Sequence, residues 1–600
     1  MPKKPIRIGC AAGFWGDTET AAPQLLAGGS LDYLVFDYLA EITMSIMAGA
    51  RLRGEGGGYA TDFVSRVMKQ CLRDALDKRV RIVTNAGGVN PLACRDALRA
   101  LAQELGVSAK IAVVLGDDLV PRKDELAQLG ITEMYSGAPL PGFLLSANAY
   151  FGAKPIVDAL AAGADIVITG RVVDSALVLA PLVHEFGWRW DDFDRLAQGS
   201  LAGHMIECGA QCTGGIFTDF DQVPGYDDMG YPIVECSEEG AFVVEKPAGT
   251  GGIVTPAVVY EQLVYEIGDP RAYVLPDVVC DFTQVHAETV GENRVRVVGA
   301  RGNVPTDTFK VSATYPDGYK MDVGVFLAGE RAVEKGRKVA HGLVTKIERL
   351  LVARGLGPFL ATQIDVLGSE ATYGSHARRA DTREVVVRIA ASHSNRDALK
   401  LMLRELPQAG TSMAPGFATL IGGRPQPATT VKLFSFLIDK SKLQAELDLD
   451  GERVPCAPAA VKTAALGESA PTSEPTYPAI ASGYTLPLIA LAHGRSGDKG
   501  NSSNIGILAR QERFVPLIGA ALTESAVAKH MAHLLDPQRG RVRRHWLPGC
   551  QGWNFLLEAS LGGGGIASLR ADPQGKAHAQ QLLGFEVPVP KSLYDELSSR

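Results

Sequence analysis

Five short loops in the first 180 residues carry the side chains best suited to chemistry. Each loop follows an apolar run, and the loops lie at residues 13–17, 37–41, 85–91, 116–118 and 170–175. Four of them combine glycine with aspartate, asparagine or arginine, and 37–41 carries an aspartate and a glutamate. Carboxylates can move protons, whereas amide and guanidinium groups can hold anions. The candidate residues in these loops are Asp17, Asp37, Asn85, Gly87, Gly88, Asp117, Arg171 and Asp174. Glycine, aspartate and asparagine also build ordinary turns and helix caps, and this alternative stays open for each single loop.

Two of these loops carry features that suit an anion. Arg171 follows an apolar strand-like run, where a guanidinium can bind a carboxylate or phosphate through two hydrogen bonds. Residues 85–88 contain two glycines, which let backbone N–H groups approach a ligand, and Asn90 and Pro91 can open the next helix. The chain has no G-x-G-x-x-G fingerprint at this turn and no phosphate-binding loop of the G-x-x-x-x-G-K-[ST] type, so nucleotide binding would rest on fold analogy alone.

The segment 203–215 combines one histidine, two cysteines and a glutamate. His204, Cys208 and Cys212 recur every four residues and would form one stripe on a helix. Three ligands along two helical turns seldom converge on one metal ion, so we favour core packing by small thiols and no metal here. Glu207 and Gln211 form a separate polar pair in the same apolar, glycine-rich segment. A carboxylate in such surroundings is expected to have a raised pKa and to serve as a general acid or base.

These observations give three candidate catalytic carboxylates and no identified cofactor. The catalytic candidates are Asp37, Asp174 and Glu207. An alternative use of the strand-end carboxylates is a Mg²⁺ site, because Asp17, Asp37 and Asp117 are hard oxygen ligands of the kind that this ion prefers.

A second anion-binding candidate lies near the C-terminus. Residues 493–506 follow an apolar run and contain several glycines, hydroxyl and amide groups, and the two cations Arg495 and Lys499. This composition is typical of a loop that holds an anion. Since the loop belongs to a different domain from the first five, it contributes to their site only if that domain folds back over it or meets it in a second subunit.

The elements that must position these residues follow from the hydrophobic pattern. In the first 235 residues, short β-branched runs alternate with helical patterns, which predicts an α/β domain with a mainly parallel sheet and crossover helices. The predicted strands are residues 6–10, 33–36, 80–84, 110–115 and 165–169. Because the carboxyl ends of parallel strands lie at one edge of a sheet, the five loops are expected to converge on one cavity.

The remainder of the chain predicts further units, since 600 residues exceed what one core can hold. Residues 236–449 mix short strands with helices and are predicted as an α+β lobe packed on the first lobe, residues 1–235. Residues 450–485 are rich in Pro, Ala, Ser and Thr and predict a linker. Residues 486–600 predict a small α+β domain.

Composition excludes several classes of function. The net charge of -7 is mild and gives no reason to expect nucleic acid as a partner. No apolar run reaches the roughly 18 residues that a membrane span requires, and the N-terminus lacks a signal-peptide core. Nine sparse cysteines are typical of reduced thiols. We therefore expect a cytoplasmic protein without a membrane span.

Several of these stretches resemble one known family. Residues 7–17, 32–41, 84–88 and 169–174 resemble the N-terminal domain of the acyclic terpene utilization AtuA family, and residues 493–500 resemble the ferredoxin-like C-terminal domain that accompanies it. The resemblance implies a role in bacterial breakdown of citronellol, geraniol and related acyclic terpenes, through acyl-CoA intermediates and a biotin-dependent carboxylase. It supplies no catalytic residues.

Two functions remain open from the sequence. The first is an enzyme of the hydratase or lyase type that acts on a branched acyl-CoA or carboxylate. The alternative is a non-catalytic protein that binds acyl-CoA or assembles with a carboxylase. In either case the expected ligand is a small acyl-CoA or carboxylate, and a homo-oligomer is expected.

Overall fold

The computed structural model describes residues 3–28, 30–52, 54, 57–419, 425–467, 473–480, 482–565 and 567–598. Residues 6–236 contain β1 (Ile6–Cys10), α1 (Ala21–Gly28), β2 (Tyr33–Phe36), α2 (Glu41–Leu52), α3 (Lys69–Asp77), β3 (Arg81–Thr84), α4 (Pro91–Leu105), β4 (Ile111–Leu115), α5 (Lys123–Gln128), β5 (Ser146–Ala149), α6 (Lys154–Ala161), β6 (Ile166–Thr169), α7 (Ala176–Phe186), α8 (Phe193–Ile206) and β7 (Ile233–Cys236). 

Residues 242–455 contain β8 (Phe242–Glu245), α9 (Pro256–Leu263), β9 (Tyr273–Val274), β10 (Val279–Asp281), β11 (His286–Gly291), β12 (Arg294–Val298), β13 (Arg301–Asn303), β14 (Thr308–Ala328), α10 (Ala332–Ala353), β15 (Ala361–Leu367), β16 (Glu384–His393), α11 (Arg396–Glu405), α12 (Ala409–Ser412), β17 (Phe417–Thr419), β18 (Ala428–Asp439), β19 (Glu446–Leu449) and β20 (Glu452–Pro455). Residues 485–598 contain β21 (Thr485–Pro487), β22 (Ala492–Lys499), β23 (Ser502–Ala509), α13 (Val515–Ala521), α14 (Glu524–His530), β24 (Arg541–Leu547), β25 (Gly552–Glu558), α15 (His578–Leu582), β26 (Glu586–Pro588) and α16 (Lys591–Ser598).

The largest sheet is mixed, with a parallel centre. Its strand order is β11-β12-β8-β7-β1-β2-β3-β6-β4-β19-β20. The five central strands run parallel to one another, in the sheet order β1, β2, β3, β6 and β4. They are the five strands that the sequence predicted. Antiparallel strands flank them on both sides. The prediction of a mainly parallel sheet is therefore correct only for the centre, because short connections such as that from β7 to β8 can join antiparallel neighbours only.

Strands from different parts of the chain tie the first two predicted lobes together. β8, β11 and β12 lie beyond residue 235 but extend the large sheet, and β19 pairs with β4 at the other edge. β5 belongs to the first predicted lobe but is not part of the large sheet. It pairs with the 21-residue strand β14 in a second, six-stranded sheet. The two predicted lobes therefore share strands in both directions.

The last part of the chain forms a four-stranded antiparallel sheet in the order β22-β23-β25-β24. Trp553 and Phe555 are fully buried in the core beneath it, with residues of α13 and α15. Residues 493–499, which the sequence predicted as a loop, lie within strand β22 and pair with β23 throughout. That prediction is wrong because Gly494 and Gly497 lie within the strand, packed closely against Leu583 and Glu266, and do not open a turn. The turn itself lies at residues 500–501.

The segment predicted as a linker is in part ordered. β20 falls within residues 450–485 and pairs with β19, and residues 468–472 and 481 lie outside the described residues. Across the described part of the chain, we find no helix whose length and apolar character would let it cross a membrane.

Candidate functional site

A group of charged side chains that act on one another electrostatically lies where the carboxyl edge of the parallel strands meets strand β14 and the C-terminal domain. We call it the polar cleft and define it by Asp37, Glu41, Tyr150, Arg171, Asp174, Glu207, Glu266, Tyr273, Lys310 and Lys499. Burial shifts the pKa of several of these groups, yet Lys310 and Asp174 keep 39% and 36% of their side-chain surface exposed. Solvent therefore reaches this group of residues at Lys310 and Asp174.

Asp37, at the end of β2, is held by the loop that follows β3. Its Oδ1 accepts a hydrogen bond from the Asn85 side-chain amide at 2.6 Å, and both residues are buried. Burial, followed by the charge of Asp174, raises the pKa of Asp37 well above its usual range, although Arg171 opposes the shift. The site therefore holds a carboxyl group that retains its proton more readily than a free aspartate.

Arg171, which follows β6, is 4% exposed and makes hydrogen bonds through both its backbone and its side chain. Its backbone N–H donates to Asp117 Oδ2 at 2.8 Å, and its Nη1 donates to Asp174 Oδ1 at 2.5 Å. Burial alone would lower its pKa, but Asp174 and other acidic neighbours raise it well above the usual value. Burial raises the pKa of Asp117 to about 6. The loops after β4 and β6 thus bring the Asp117 carboxylate against the backbone of Arg171.

Three residues that the sequence analysis did not select complete this side of the cleft. The ring of Tyr150 lies 4.2 Å from the Arg171 guanidinium carbon and 5.0 Å from Lys310 Nζ. Its hydroxyl donates to Glu41 at 2.7 Å, and Lys310 Nζ lies 3.5 Å from the same carboxylate. Burial would raise the pKa of Glu41, but Lys310, Arg171 and this hydrogen bond outweigh it and hold that pKa at about 2.

The signal for these three residues is weak in the sequence. Glu41 closes one of the five loops, but Tyr150 and Lys310 belong to β5–β14 pairing, in which Tyr150 N–H donates to the Lys310 carbonyl. A small pocket of about 10 Å³ lies beside them. Three buried polar atoms at this pocket have no hydrogen-bond partner among the described residues: Asn148 Oδ1, Ser312 Oγ and Arg171 Nε.

Glu207 forms a close pair with a histidine. His204 Nδ1 lies 2.9 Å from Glu207 Oε1, and His204 Nε2 lies 3.3 Å from the Leu263 carbonyl oxygen. A carbonyl only accepts, so Nε2 carries a hydrogen, and the Nδ1 contact holds one further proton between imidazole and carboxyl. Burial is the main reason that the pKa of Glu207 is raised, while His204 opposes the shift. Helix α8 ends at Ile206, so Cys208 and Cys212 do not continue its stripe.

The C-terminal domain supplies a cation to the polar cleft. Lys499 Nζ lies 5.1 Å from the centre of the Tyr273 ring, and Tyr273 packs against His204. The Lys499 side chain keeps exposed surface, but the protein around its other sides removes part of its hydration. This desolvation and the charge of Lys310 lower the pKa of Lys499, whereas Glu266, Glu41 and Glu207 oppose the shift. Its ammonium makes no ion pair within the described part of the chain. The domain therefore folds back over the cleft within one chain.

Lys576 fixes this domain beside the cleft. Its Nζ donates to Glu266 at 2.7 Å, to Asp498 at 3.0 Å and to the hydroxyl of Tyr265. Burial raises the pKa of Asp498 to about 6, and Glu266 adds to the shift. Gly497 is required here because a Cβ would lie 2.6 Å from Glu266 Cγ and 2.8 Å from the Tyr265 ring.

Arg495 lies at the domain interface. Its Nη1 donates to the Ile216 carbonyl at 3.0 Å and lies 3.7 Å from Glu261, and its Nη2 donates to Gln211. Gln211 therefore pairs with Arg495 and not with Glu207. The guanidinium carbon lies 4.9 Å from the Tyr265 ring, and burial lowers the pKa of Arg495. These contacts join β22 to the first part of the chain.

Three predicted ligand-binding residues have contacts within the protein that account for them. Asp17 accepts from the backbone of Gly13 and Thr18 and from the Tyr231 hydroxyl at 2.7 Å. A Cβ on Gly87 would lie 2.5 Å from the Thr169 carbonyl oxygen, and one on Gly88 would lie 2.4 Å from Met47 Sδ. The N–H of Gly88 donates to the Asn85 carbonyl, so close packing explains this turn without a ligand.

Within the described ranges, the thiols and carboxylates show no metal-binding arrangement. All nine cysteines, each of which lies in the described ranges, are free, and burial raises the pKa of Cys208 and Cys212. Among the described residues, no group of three or more His, Cys, Asp or Glu side chains is placed to hold a metal ion. Asp17, Asp37 and Asp117 each bond to different partners.

Comparison with known proteins places nearly the whole chain in two matches. Residues 6–449 match the family described as acyclic terpene utilisation family protein AtuA. Residues 486–588 match the AtuA ferredoxin-like domain. No curated protein matches the chain.

Proposed function

Because this chain belongs to the acyclic terpene utilisation AtuA family, whose match spans residues 6–449, we propose that it is an enzyme acting on a branched acyl-CoA or carboxylate intermediate. The reaction proposed is the addition or removal of water. The observation that carries the proposal is the polar cleft, in which carboxyl groups with raised pKa lie beside three cations.

The cations support an anionic or thioester ligand. Arg171, Lys310 and Lys499 approach the cleft from β6, β14 and β22, so a ligand between them meets positive charge on several sides. Lys499 is the most available of the three because it is exposed and unpaired among the described residues. A cation at that position would stabilise the negative charge that develops on a thioester carbonyl oxygen when the adjacent carbon reacts.

The His204–Glu207 pair supports proton transfer. In the hydration direction, Glu207 would take a proton from water as the water oxygen bonds to the β-carbon of an unsaturated thioester. The electron pair of the double bond moves toward the carbonyl, and the α-carbon then gains a proton from Asp37, whose pKa is raised. The product carries the hydroxyl on one carbon and the hydrogen on the next, and dehydration reverses each step.

The experiment is a turnover assay with a panel of unsaturated and 3-hydroxy acyl-CoA esters, followed by mass spectrometry. We expect gain or loss of water with at least one branched ester. Glu207→Gln is expected to lower the rate by about 100-fold or more, the usual range for loss of a general acid or base. Glu452→Gln, on the exposed strand β20, is the matched control and should leave the rate unchanged.

A different result would favour the non-catalytic alternative. If the wild-type protein binds these esters tightly but forms no product from any of them, it is a binding or assembly protein and not a hydratase. If Glu207→Gln turns over as fast as Glu452→Gln, the proton-transfer role of Glu207 is wrong even where the enzyme is active.

A further inference from the structure

Strands β5 and β14 separate the polar cleft from a second cavity. Along these strands alternate residues point to opposite faces. Asn148 and Lys310 face the polar cleft, whereas Phe151 and Phe309 lie on the other side, with ring centres 5.4 Å apart. A cavity of about 560 Å³ opens there, which is within the usual size range of about 300–1,000 Å³ for small-molecule sites. We call it the rear cavity.

The walls of the rear cavity are mostly apolar. Phe151 and Phe309 form one side, Trp190 and Leu443 contribute further apolar surface, and Val461 closes the cavity from the segment after β20. Hydrophobic and aromatic walls with few polar groups are typical of sites that bind an apolar molecule.

One end of the rear cavity carries two opposite charges that do not contact each other. Asp277 accepts from the Ala153 backbone at 2.8 Å, and Lys440 Nζ donates to the Pro276 carbonyl at 2.7 Å. Each charge acts on the other, but among the described contacts they form no ion pair or hydrogen bond. Lys154, a third charged residue of the lining, is already paired with Asp158 at 2.6 Å. Only glycine leaves room for the carboxylate at residue 152, since a Cβ there would lie 2.3 Å from Asp277 Oδ2.

These two groups restrict the polar end of a ligand. Lys440 uses one of its three N–H donors on the Pro276 carbonyl, so it can donate again, and Asp277 can accept again. A carboxylate end would meet the charge of Asp277, and an ammonium end would meet that of Lys440. An uncharged group that both donates and accepts, such as a hydroxyl, would satisfy both residues.

We propose that the rear cavity binds an uncharged aliphatic molecule whose single hydroxyl or similar end lies between Lys440 and Asp277. Its apolar body packs against the aromatic walls. The site is separate from the polar cleft, and the proposal does not rest on the proposed function.

The first test is isothermal titration of the full chain with three probes of equal chain length, octan-1-ol, octanoate and octylammonium. We expect octan-1-ol to bind at least about tenfold more tightly than either charged probe, because each charged end loses a hydrogen bond and meets a like charge. Binding of octanoate or octylammonium as tight as that of octan-1-ol would overturn the proposal, and so would the absence of octan-1-ol binding.

Variants place the binding in the rear cavity. Val461→Trp fills the cavity and is expected to weaken octan-1-ol binding by about tenfold or more, whereas Val454→Trp, at an exposed position on β20, should not. Lys440→Met, which keeps the volume but removes the donor, should weaken binding by about fivefold. Equal affinity in all three variants would overturn the location. Thermal melts identify any variant that does not fold. If Val461→Trp does not fold, the affinity of Lys440→Met for octan-1-ol decides whether the probe binds in the rear cavity.

A second readout uses the wall segment itself. Trypsin can cleave after Lys462, beside Val461 in the wall, and after Arg453, which is exposed on β20 and does not line the cavity. Saturating octan-1-ol should slow cleavage after Lys462 and leave cleavage after Arg453 unchanged. Equal rates after Lys462 with and without the probe would contradict binding at this wall.

Discussion

Two buried arginines of this chain look alike at close range and differ in their wider surroundings. Arg171 and Arg495 are each 4% exposed, lie over a tyrosine ring and keep an Nε without a partner among the described residues. The carboxylate beside Arg171, Asp174, is 36% exposed, whereas Glu261 beside Arg495 is 2% exposed. Acidic neighbours raise the pKa of Arg171, but burial lowers that of Arg495.

The difference separates a site residue from an interface residue. The Arg171 region opens to solvent through Asp174 and the polar cleft, so a ligand can reach its neighbours. The Arg495 region is closed, and its hydrogen bonds join β22 to residues 211 and 216 of the first part of the chain. A buried cation by itself therefore does not identify a ligand site. What distinguishes the two is whether the partner carboxylate faces solvent.

The largest expected effect concerns the interface. Arg495→Ala should lower the free energy of unfolding by about 3–5 kcal/mol, because it leaves the Glu261 carboxylate buried without its cation. Denaturant unfolding measures this loss. Arg513→Ala is the control, since its ion pair with Glu596 is half exposed and should contribute about 1 kcal/mol or less. Equal losses in the two variants would break the comparison.

The next effect tests the carboxylate behind Arg171. Asp117 has a folded-state pKa of about 6, above its unfolded value of about 3.9, so its contribution to stability is full below about pH 4 and is lost as pH rises through 6. Asp117→Asn keeps an oxygen acceptor for the Arg171 N–H. We expect the free energy of unfolding of the wild type to fall by about 3 kcal/mol relative to that of Asp117→Asn as the pH rises from 4 to 7. Parallel stability curves over that range would show that Asp117 does not titrate there.

A third prediction compares the two arginines in binding. Arg171→Met should weaken the binding of an acyl-CoA by about 1.5–3 kcal/mol, the range for hydrogen bonds to charged groups. Arg495→Met is the matched variant, and the affinity of its folded fraction should change by less than about 0.5 kcal/mol. Titration calorimetry on both proteins decides. A larger loss for Arg495→Met would place that residue in the site.

The smallest expected effect concerns Lys499. Lys499→Met should weaken acyl-CoA binding by roughly 1 kcal/mol, while the free energy of unfolding stays within about 0.5 kcal/mol because the side chain is exposed. Lys529→Met, in the same domain and in the last turn of α14, is the control and should change neither quantity. Unchanged binding in Lys499→Met would remove the C-terminal domain from the ligand site.

Local patterns in the sequence were enough to predict the parallel centre of the large sheet. Alternation of β-branched runs with helical patterns identified β1, β2, β3, β4 and β6. It also predicted a raised pKa for Glu207, since burial in an apolar, glycine-rich segment is visible in the chain itself. The family was evident from the same loops.

Contacts between distant segments were decided by the tertiary structure alone. Tyr150 and Lys310 are 160 residues apart and meet only because β5 pairs with β14. No periodicity within either strand reports the identity of its neighbour, so neither residue could be selected from the sequence.

The docking of the C-terminal domain was likewise a tertiary result. Asn504 donates to the Val264 carbonyl at 2.6 Å, and a Cβ on Gly506 would lie 2.1 Å from Val264. From their composition alone, these polar residues and glycines predict a loop that holds a ligand. Glycine allows close approach of any neighbour, whether a ligand or another part of the chain, and only the folded chain determines which of the two is present.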